Sequence, residues 1–315
     1  MRRAVADMVG VLDVGSFSAR LVVLPRGGSP LEPMLTHQTR LRLDRDLDAE
    51  GKLRPRGIAA ISAAVCAAAK VAEKNDVPEV YSFATSSIRD AVNAEEVVAE
   101  VAKQTGVRLR FLSGRREAEL TYVAARRWYG ACSGPLLVLD IGGGTVELAA
   151  GQGEQASFAR SLPLGARSMT RDWLPHEIAT PKRIAALREH ALAEVRAALD
   201  DVSLKEYRAV GCSKVLNQLA RLAGARPGRG QELALDDLRK WIPRLAVLPP
   251  ARRAELPGIT RQRAHQALAG AIIAEVLLTV SAGRISVCPW STREGLLLGM
   301  LDGVRPERLG KLQAA

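Results

Sequence analysis

The sequence has few cysteines and no pattern that would tie them to a metal. Only four are present among 315 residues: Cys66, Cys132, Cys212 and Cys288. They lie far apart, without the C-x-x-C pair or the histidine cluster that a zinc site needs. We therefore expect reduced, mostly buried thiols and no zinc centre.

Long apolar runs and targeting segments are also missing. No run reaches the roughly 18 apolar residues needed to cross a bilayer. The longest candidate, residues 267–280, is interrupted by Glu275 and predicts a buried helix. Residues 1–8 lack the apolar middle section and the small-residue cleavage site of a secretory signal. We expect a cytoplasmic protein with no membrane partner.

Composition and charge indicate a globular protein with an anionic partner. With 315 residues, 47% of them apolar and 25% charged, the chain is long enough for two ordinary domains with buried cores. Its formal net charge of +11 favours polyanionic ligands, because a positive field concentrates them. Nucleic acid and phosphate chains both fit this charge, and arginines on solvated faces would also produce it.

A pair of short strands around a small-residue turn occurs twice. The strands are predicted at four β-branched and leucine-rich runs, residues 9–14, 19–24, 136–140 and 146–150. Asp13 and Asp140 stand at equivalent places, near the end of the first strand of each pair. An internal duplication explains this repetition.

Apolar residues at helical spacing predict five helices, at residues 56–73, 94–104, 117–128, 181–199 and 261–281. Strands that alternate with helices indicate an α/β fold. Residues 128–135 are rich in turn formers, so we place the domain boundary there, with domains over 1–130 and 131–304. This division leaves the final helix free to pack on the first domain, and residues 305–315 form a polar tail. Residues 224–230 are expected to form an exposed loop.

Both turns have the composition of a phosphate-binding loop. The N–H groups of such a turn point outward as donors, and the missing side chains let a phosphate approach closely. Two such turns in a duplicated unit predict loops that face one another across a cleft. The turn residues are Gly15 and Ser16 in the first copy, and Gly142, Gly143, Gly144 and Thr145 in the second.

Three carboxylates near these turns are candidate metal ligands. Phosphates repel carboxylates unless a cation intervenes, and Mg²⁺ commonly binds one or two carboxylates together with phosphate oxygens and water. Asp13, Asp140 and Glu147 are therefore predicted to face Mg²⁺, with Mn²⁺ as the alternative. A solvated glutamate at a strand end is the other interpretation of Glu147.

Six segments, in a fixed order along the chain, match the pattern of a known family: residues 13–18, 84–93, 113–118, 140–148, 256–258 and 291–295. By these segments the chain resembles the Ppx/GppA family of exopolyphosphatases and guanosine pentaphosphate phosphatases. The segments cover nearly the whole chain in the family's short two-domain form. The resemblance implies an α/β protein of two actin-like domains, of the sugar kinase and Hsp70 superfamily, with a phosphate-binding cleft between them.

The resemblance also implies roles for single residues. Glu117 matches the general base that activates water, and Ser113 is suited to cap the helix in whose first turn Glu117 lies. Arg89 matches an arginine that holds phosphate oxygens. Ser213 and Lys214 resemble a third, more divergent phosphate-binding loop.

The implied reaction is Mg²⁺-assisted hydrolysis of the terminal phosphate of polyphosphate or guanosine pentaphosphate, in a homodimer that does not bind nucleic acid. Four residues depart from the family pattern: Phe17, Val146, Arg116 and His265. These departures leave a second hypothesis open, a regulatory protein that binds polyphosphate or guanosine phosphates without turnover. A sugar or acetate kinase is disfavoured, because the segment around Glu117 matches hydrolases.

Overall fold

The computed structural model describes residues 8–304 except 49, 205, 227, 229 and 282, and the side chain of Asp44 is also left undescribed. The predicted 305–315 tail lies outside these residues, as do two positions of the 224–230 loop. The chain divides into two compact units: unit 1 consists of Met1–Arg116 with Arg293–Ala315, and unit 2 of Glu117–Thr292. Each unit contains one sheet of mixed direction, which confirms the α/β prediction.

Unit 1 is built on a five-stranded sheet in the order β3-β2-β1-β4-β5. The hairpin strands β1, β2 and β3 are antiparallel, whereas β1, β4 and β5 run parallel. The strands are β1 (Met8–Val14), β2 (Ser18–Pro25), β3 (Leu35–Arg40), β4 (Val80–Ala84) and β5 (Arg110–Phe111).

The helices of unit 1 are α1 (Pro55–Lys74), α2 (Ser86–Arg89) and α3 (Ala94–Thr105). Proline in the first turn favours the start of α1, since its missing N–H has no intrahelical partner there. By length and composition α1 could also cross a membrane. Its apolar face, however, packs into the core of unit 1 through Ile58, Ile61 and Val65, as expected of a core helix.

Unit 2 is built on a six-stranded sheet in the order β10-β11-β9-β6-β7-β8. Strands β6, β9 and β11 run parallel, and the others are antiparallel to their neighbours. The strands are β6 (Leu136–Ile141), β7 (Val146–Gly151), β8 (Phe158–Leu162), β9 (Arg208–Gly211), β10 (Glu232–Ala234) and β11 (Arg284–Val287).

Helices cover both faces of this second sheet. Leu137, Leu139 and Ile141 of β6 point into the main core, which is formed with the helices that follow β8. Leu136 and Val138 point to the opposite face, which packs against α4. The helices of unit 2 are α4 (Gly114–Tyr129), α5 (Ala166–Trp173), α6 (Pro181–Leu199), α7 (Lys214–Leu222), α8 (Leu235–Val247), α9 (Pro250–Arg253) and α10 (Ala267–Val280). The last helix, α11 (Thr292–Leu301), belongs to unit 1 except for its first residue.

The two sheets repeat one pattern, as the predicted duplication requires. An antiparallel meander leads into parallel strands in both, and the two meander turns close with the same hydrogen bond. The N–H of Gly15 donates to the carbonyl of Ser18 at 2.9 Å, and the N–H of Gly142 donates to that of Thr145 at 2.8 Å. We call residues 15–18 the serine turn and residues 142–145 the glycine turn.

The division between the units lies before the boundary expected after residue 130, inside the first turn of α4. Residues 130–135 connect α4 to β6 within unit 2, and the aromatic side chains at the end of α4 pack in that unit. Trp128 contacts Trp290 edge-on at 5.2 Å, and the guanidinium of Arg208 lies 4.4 Å from the ring centre of Tyr129. Turn-forming composition therefore marks a connection here, not a gap between cores.

Two further expectations differ from the structure. The helix expected over 261–281 begins only at Ala267, because residues 261–266 form turns that still bury Ala264 and Gln266. Of the four thiols, all free, Cys212 and Cys288 are buried, Cys66 is half-buried and Cys132 is exposed. The expectation of mostly buried thiols thus holds for only two of them.

Candidate active site

The carboxyl end of β6 carries the predicted acidic pair of unit 2. Asp140 on β6 lies directly opposite Glu147 on β7 in the antiparallel register. Both side chains share the sheet face of Leu136 and Val138, because side chains alternate along a strand. Glu147 is buried, and one of its oxygens accepts a hydrogen bond from the Ser161 hydroxyl at 2.9 Å.

This pair is electrostatically unfavourable without a cation. Burial raises the pKa of Asp140 to about 7, and the negative charge of Glu147 adds to the effect. Like charges directly opposite each other on neighbouring strands destabilise a sheet. Two carboxylates so placed will hold a proton, or attract a metal ion, near neutral pH.

The glycine turn is fixed by the start of α5. Its carbonyl groups accept hydrogen bonds from the first N–H groups of that helix: Gly165 to Gly144 at 3.1 Å, Ala166 to Gly142 at 3.0 Å, and Arg167 and Ser168 to Gly143 at 3.0 and 3.1 Å. These bonds satisfy helix N–H groups that would otherwise lack intrahelical partners. Since the carbonyls of residues 142–144 point at α5, the N–H groups of the same peptides, those of Gly143, Gly144 and Thr145, point the other way, as a phosphate site requires. The N–H of Gly142 closes the turn instead.

Arg167 is a candidate that the sequence analysis missed. A side-chain carbon added at Gly143 would lie 3.3 Å from one terminal nitrogen of the Arg167 guanidinium. The guanidinium thus occupies the space that the glycine leaves. The only sequence signal was a basic residue shortly after Gly165 in the first turn of α5.

Ser213 and Lys214 follow β9, the parallel neighbour of β6. The Ser213 oxygen accepts a hydrogen bond from the N–H of Leu216 at 3.1 Å and so caps α7. Its hydroxyl proton is left to donate. Lys214 is exposed at the first position of α7. Both predicted residues therefore lie at the same end of the sheet as the glycine turn.

Glu117 is buried in the first turn of α4. The oxygen of Ser113 accepts from the N–H of Arg116 at 3.2 Å, which confirms Ser113 as a cap. The positive end of the helix favours an ionised carboxylate at this place by about 0.3–1 kcal/mol.

The direction of α4 places Glu117 near the acidic pair. Arg126, near the end of α4, donates to the carbonyl of Gly134 at 2.9 Å, just before β6 begins. Thr121, one turn after Glu117, is hydrogen-bonded at 2.9 Å to Thr292, which follows β11. The helix therefore runs from the carboxyl end of the parallel strands to their amino end. Glu117 lies at the carboxyl end, on the sheet face that also carries the acidic pair.

In unit 1, the serine turn and the start of α2 lie side by side. The N–H of Thr85 donates to the carbonyl of Val14 at 3.1 Å, so β1 and β4 end together. The hydroxyls of Ser16 and Ser87 are hydrogen-bonded, and both serines are buried. Gly15 and Ser16 therefore lie in the predicted turn, at the carboxyl end of a strand that is parallel to β4.

Asp13 differs from Asp140 in its surroundings. One oxygen of Asp13 lies 3.6 Å from the guanidinium of Arg293, which also contacts Glu294 at 2.6 Å. Arg20, not an acid, is the residue opposite Asp13 on β2. Burial raises the pKa of Asp13, and the positive charge of Arg293 opposes that rise. The charge of Asp13 thus has arginine partners within the protein.

Arg89 is held by protein groups at the end of α2. It donates to Asp90 at 2.8 Å and to the carbonyl of Leu112 at 2.8 Å, and its side chain is 16% exposed. A phosphate contact by Arg89 remains a prediction, and it would have to share the guanidinium with Asp90.

The departures from the family pattern affect the candidate site unequally. Val146 is fully buried in the main core of unit 2, so its apolar side chain removes no polar group from the acidic face. His265 is exposed, and its carbonyl accepts from Arg253 at 3.3 Å. Phe17 lies in the serine turn and Arg116 in the first turn of α4, so these two do stand beside candidate residues.

Comparison with known proteins agrees with these features. The model of the Ppx/GppA phosphatase family matches residues 21–303. The chain belongs to this family. Exopolyphosphatase 1 of Mycobacterium tuberculosis is 41% identical over 306 residues, covering 93% of this chain and 88% of that protein. Family membership makes the chain an enzyme of the phosphoric anhydride hydrolase class, as the sequence predicted.

More distant family members extend the comparison. Guanosine-5'-triphosphate,3'-diphosphate pyrophosphatase of Aeromonas hydrophila is 25% identical over 94% of this chain, but the match covers only 60% of that longer protein. The structure of an exopolyphosphatase from Cytophaga hutchinsonii superposes with a TM-score of 0.83 at 19% identity, over 96% of this chain and 100% of the other. This likeness shows that the two chains share one fold.

Proposed function

We propose that the protein removes the terminal phosphate of inorganic polyphosphate. The relatives that support this substrate carry the name exopolyphosphatase and match along most of their own length. Guanosine pentaphosphate is the second candidate substrate, supported by a more distant relative matched over part of its length. The net charge of +11 suits either polyanion.

The proposed cofactor is Mg²⁺, with Mn²⁺ as the alternative. Among the described residues no group of three His, Cys, Asp or Glu side chains forms a metal cage. Mg²⁺ does not need one, because it commonly binds one or two carboxylates and completes its shell with water and phosphate oxygens. The raised pKa of Asp140 opposite Glu147 fits such a cation. Asp13 remains a predicted ligand, although Arg293 already offsets its charge.

Each group of candidate residues has a separate role in the proposed reaction. The N–H groups of the glycine turn bind phosphate oxygens, and Ser213 and Lys214 add a hydroxyl and an ammonium at the same end of the sheet. Glu117 accepts the proton of the attacking water, a contribution of about 10²–10⁴-fold in rate. Bound to Asp140 and Glu147, the metal would neutralise charge on the transferring phosphoryl group. In unit 1, Gly15, Ser16 and Arg89 are the proposed phosphate contacts.

One observation supports this mechanism above the others. Glu117, Asp140 and Glu147 come from three separate elements of unit 2, yet they share one face and one end of its sheet. Buried acids gather in this way when a cation or a proton-transfer step needs them, since burial of isolated carboxylates is costly.

The test is phosphate release from polyphosphate with and without Mg²⁺. We expect the wild type to release orthophosphate only with the metal, and Glu117→Gln to lose at least 10²-fold in kcat. Glu119→Gln, two residues along the same helix, is the matched control and should keep its activity. Equal rates for Glu117→Gln and the control would refute the role of the base.

Measuring binding together with phosphate release distinguishes the enzyme from the alternative, a regulatory protein without turnover. A wild type that binds polyphosphate or guanosine pentaphosphate by calorimetry, but releases no phosphate over hours, would establish that alternative.

The predicted homodimer is tested separately by light scattering during size-exclusion chromatography.

A further inference from the structure

Arg167 is a basic residue at the N-terminal end of a helix. It lies in the first turn of α5, a helix with no acidic residue in that turn. The N-terminal end of a helix carries partial positive charge, so a basic residue there costs stability where an acid would add it. Residues that reduce local stability in this way occur most often at functional sites.

The guanidinium of Arg167 lies against the glycine turn, which is itself aimed at an anion. Its central carbon and two terminal nitrogens stand 3.4, 3.3 and 3.7 Å from the place of a side-chain carbon at Gly143. All three distances are similar, so the planar group presents its face to the glycine. The edges of the plane, which carry the N–H donors, are then directed away from Gly143.

The peptide groups of the glycine turn continue the dipole of α5. Because the carbonyls of residues 142–144 accept bonds from the helix, their peptide dipoles are stacked in series with those of α5. The positive end of this series is the outer side of the turn. A forked cation beside such a turn matches the oxygens of a phosphate chain in both charge and geometry.

We propose that Arg167 is a substrate-binding residue, whose guanidinium contacts oxygens of the phosphate chain at the glycine turn. This inference rests on the proposed function for the identity of the ligand. It gives unit 2 a positive side chain at the glycine turn. Gly143 then has a second reason to be glycine, since a side-chain carbon there would push the guanidinium by a few tenths of an ångström.

Binding of linear triphosphate with Mg²⁺ present, to proteins that all carry Glu117→Gln, tests the proposal without turnover. We expect Arg167→Ala to weaken binding about tenfold or more, as loss of a charge-assisted contact does. Arg167→Lys, which keeps the charge but not the fork, should weaken it several-fold. Arg171→Ala is the control, because Arg171 lies one turn along α5, 65% exposed and paired with Asp172. It loses the same charge and should bind as the Glu117→Gln parent does.

A double-mutant cycle with Gly143→Ala makes the test independent of folding differences. Gly143→Ala alone should weaken triphosphate binding, because the methyl group would crowd the guanidinium. In the Arg167→Ala background it should add little, since the crowded group is already gone. Additive losses, equal losses in Arg167→Ala and Arg171→Ala, or a Glu117→Gln parent that binds no triphosphate would each overturn the proposal. If triphosphate binds as expected but the wild type releases no phosphate with Mg²⁺, hydrolysis fails while the Arg167 site stands.

Discussion

The junction between the glycine turn and α5 predicts a large effect from one methyl group. Replacing Gly165 by alanine would place the new carbon inside the van der Waals radii of backbone atoms of Gly143 and Gly144. The backbone angles of Gly165, φ −65° and ψ 146°, suit alanine as well as glycine. The cost is therefore purely steric, and no flexible side chain is present to yield.

The size of the destabilisation follows from the two backbone segments, at Gly165 and at the glycine turn, that must move apart. Overpacking in a well-packed region costs about 1–3 kcal/mol. Separation of the backbones also lengthens hydrogen bonds from the first N–H groups of α5 to the turn, each contributing about 1 kcal/mol. If one or two of these bonds are lost, we expect the free energy of unfolding of unit 2 to fall by about 2–4 kcal/mol. Phosphate binding should weaken with it, because the turn's N–H groups lose their orientation.

Tryptophan fluorescence during urea unfolding measures this loss, since all four tryptophans of the chain lie within unit 2. Gly153→Ala is the control: the same change is made where no atom lies within 4 Å of the added carbon. It should shift stability by no more than about 0.5 kcal/mol. If Gly165→Ala shifts it equally little and leaves activity intact, the turn is not held by backbone contact with α5.

Three other changes have defined outcomes. Arg253→Met should cost unit 2 about 3 kcal/mol or more in urea unfolding, because the buried guanidinium donates to three backbone carbonyls that would lose their partner; a loss under 1 kcal/mol would contradict this. Asn93→Ala should cost about 1–3 kcal/mol by far-UV circular dichroism, since Asn93 bonds both the N–H and the carbonyl of buried Leu53; an unchanged midpoint would count against it. Glu147→Gln should weaken Mg²⁺ binding on the order of tenfold by calorimetry, the effect of about 1.4 kcal/mol, whereas exposed Glu154→Gln should not.

The sequence predicted best where local chemistry decides the outcome. Helix α6 begins and ends where expected, because Thr180 and Pro181 are strong start signals and the apolar spacing continues to Leu199. The paired strands and their turns were also correct, since β-branched runs and glycines specify them locally. The start of α10 was misplaced because a series of turns can bury residues at nearly helical spacing.

Contacts between distant segments were beyond local reasoning. Arg167 contacts Gly143 because β8 brings the chain back to the end of β6. The residues near either position give no sequence signal for this contact. Arg293 likewise approaches Asp13 from far along the chain. Residue types identified the acids and glycines of the candidate site, while the arginines beside them required the coordinates.

The two hairpins have side chains of opposite charge at one equivalent position, the residue across from the aspartate. Where unit 1 has Arg20 across from its aspartate, unit 2 has Glu147. The aspartate of the first hairpin therefore faces a positive side chain, whereas the aspartate of the second faces a negative one. If the proposed Mg²⁺ binds this protein, electrostatics favours the second of the two matched hairpins as its site, and a chelator should act there first.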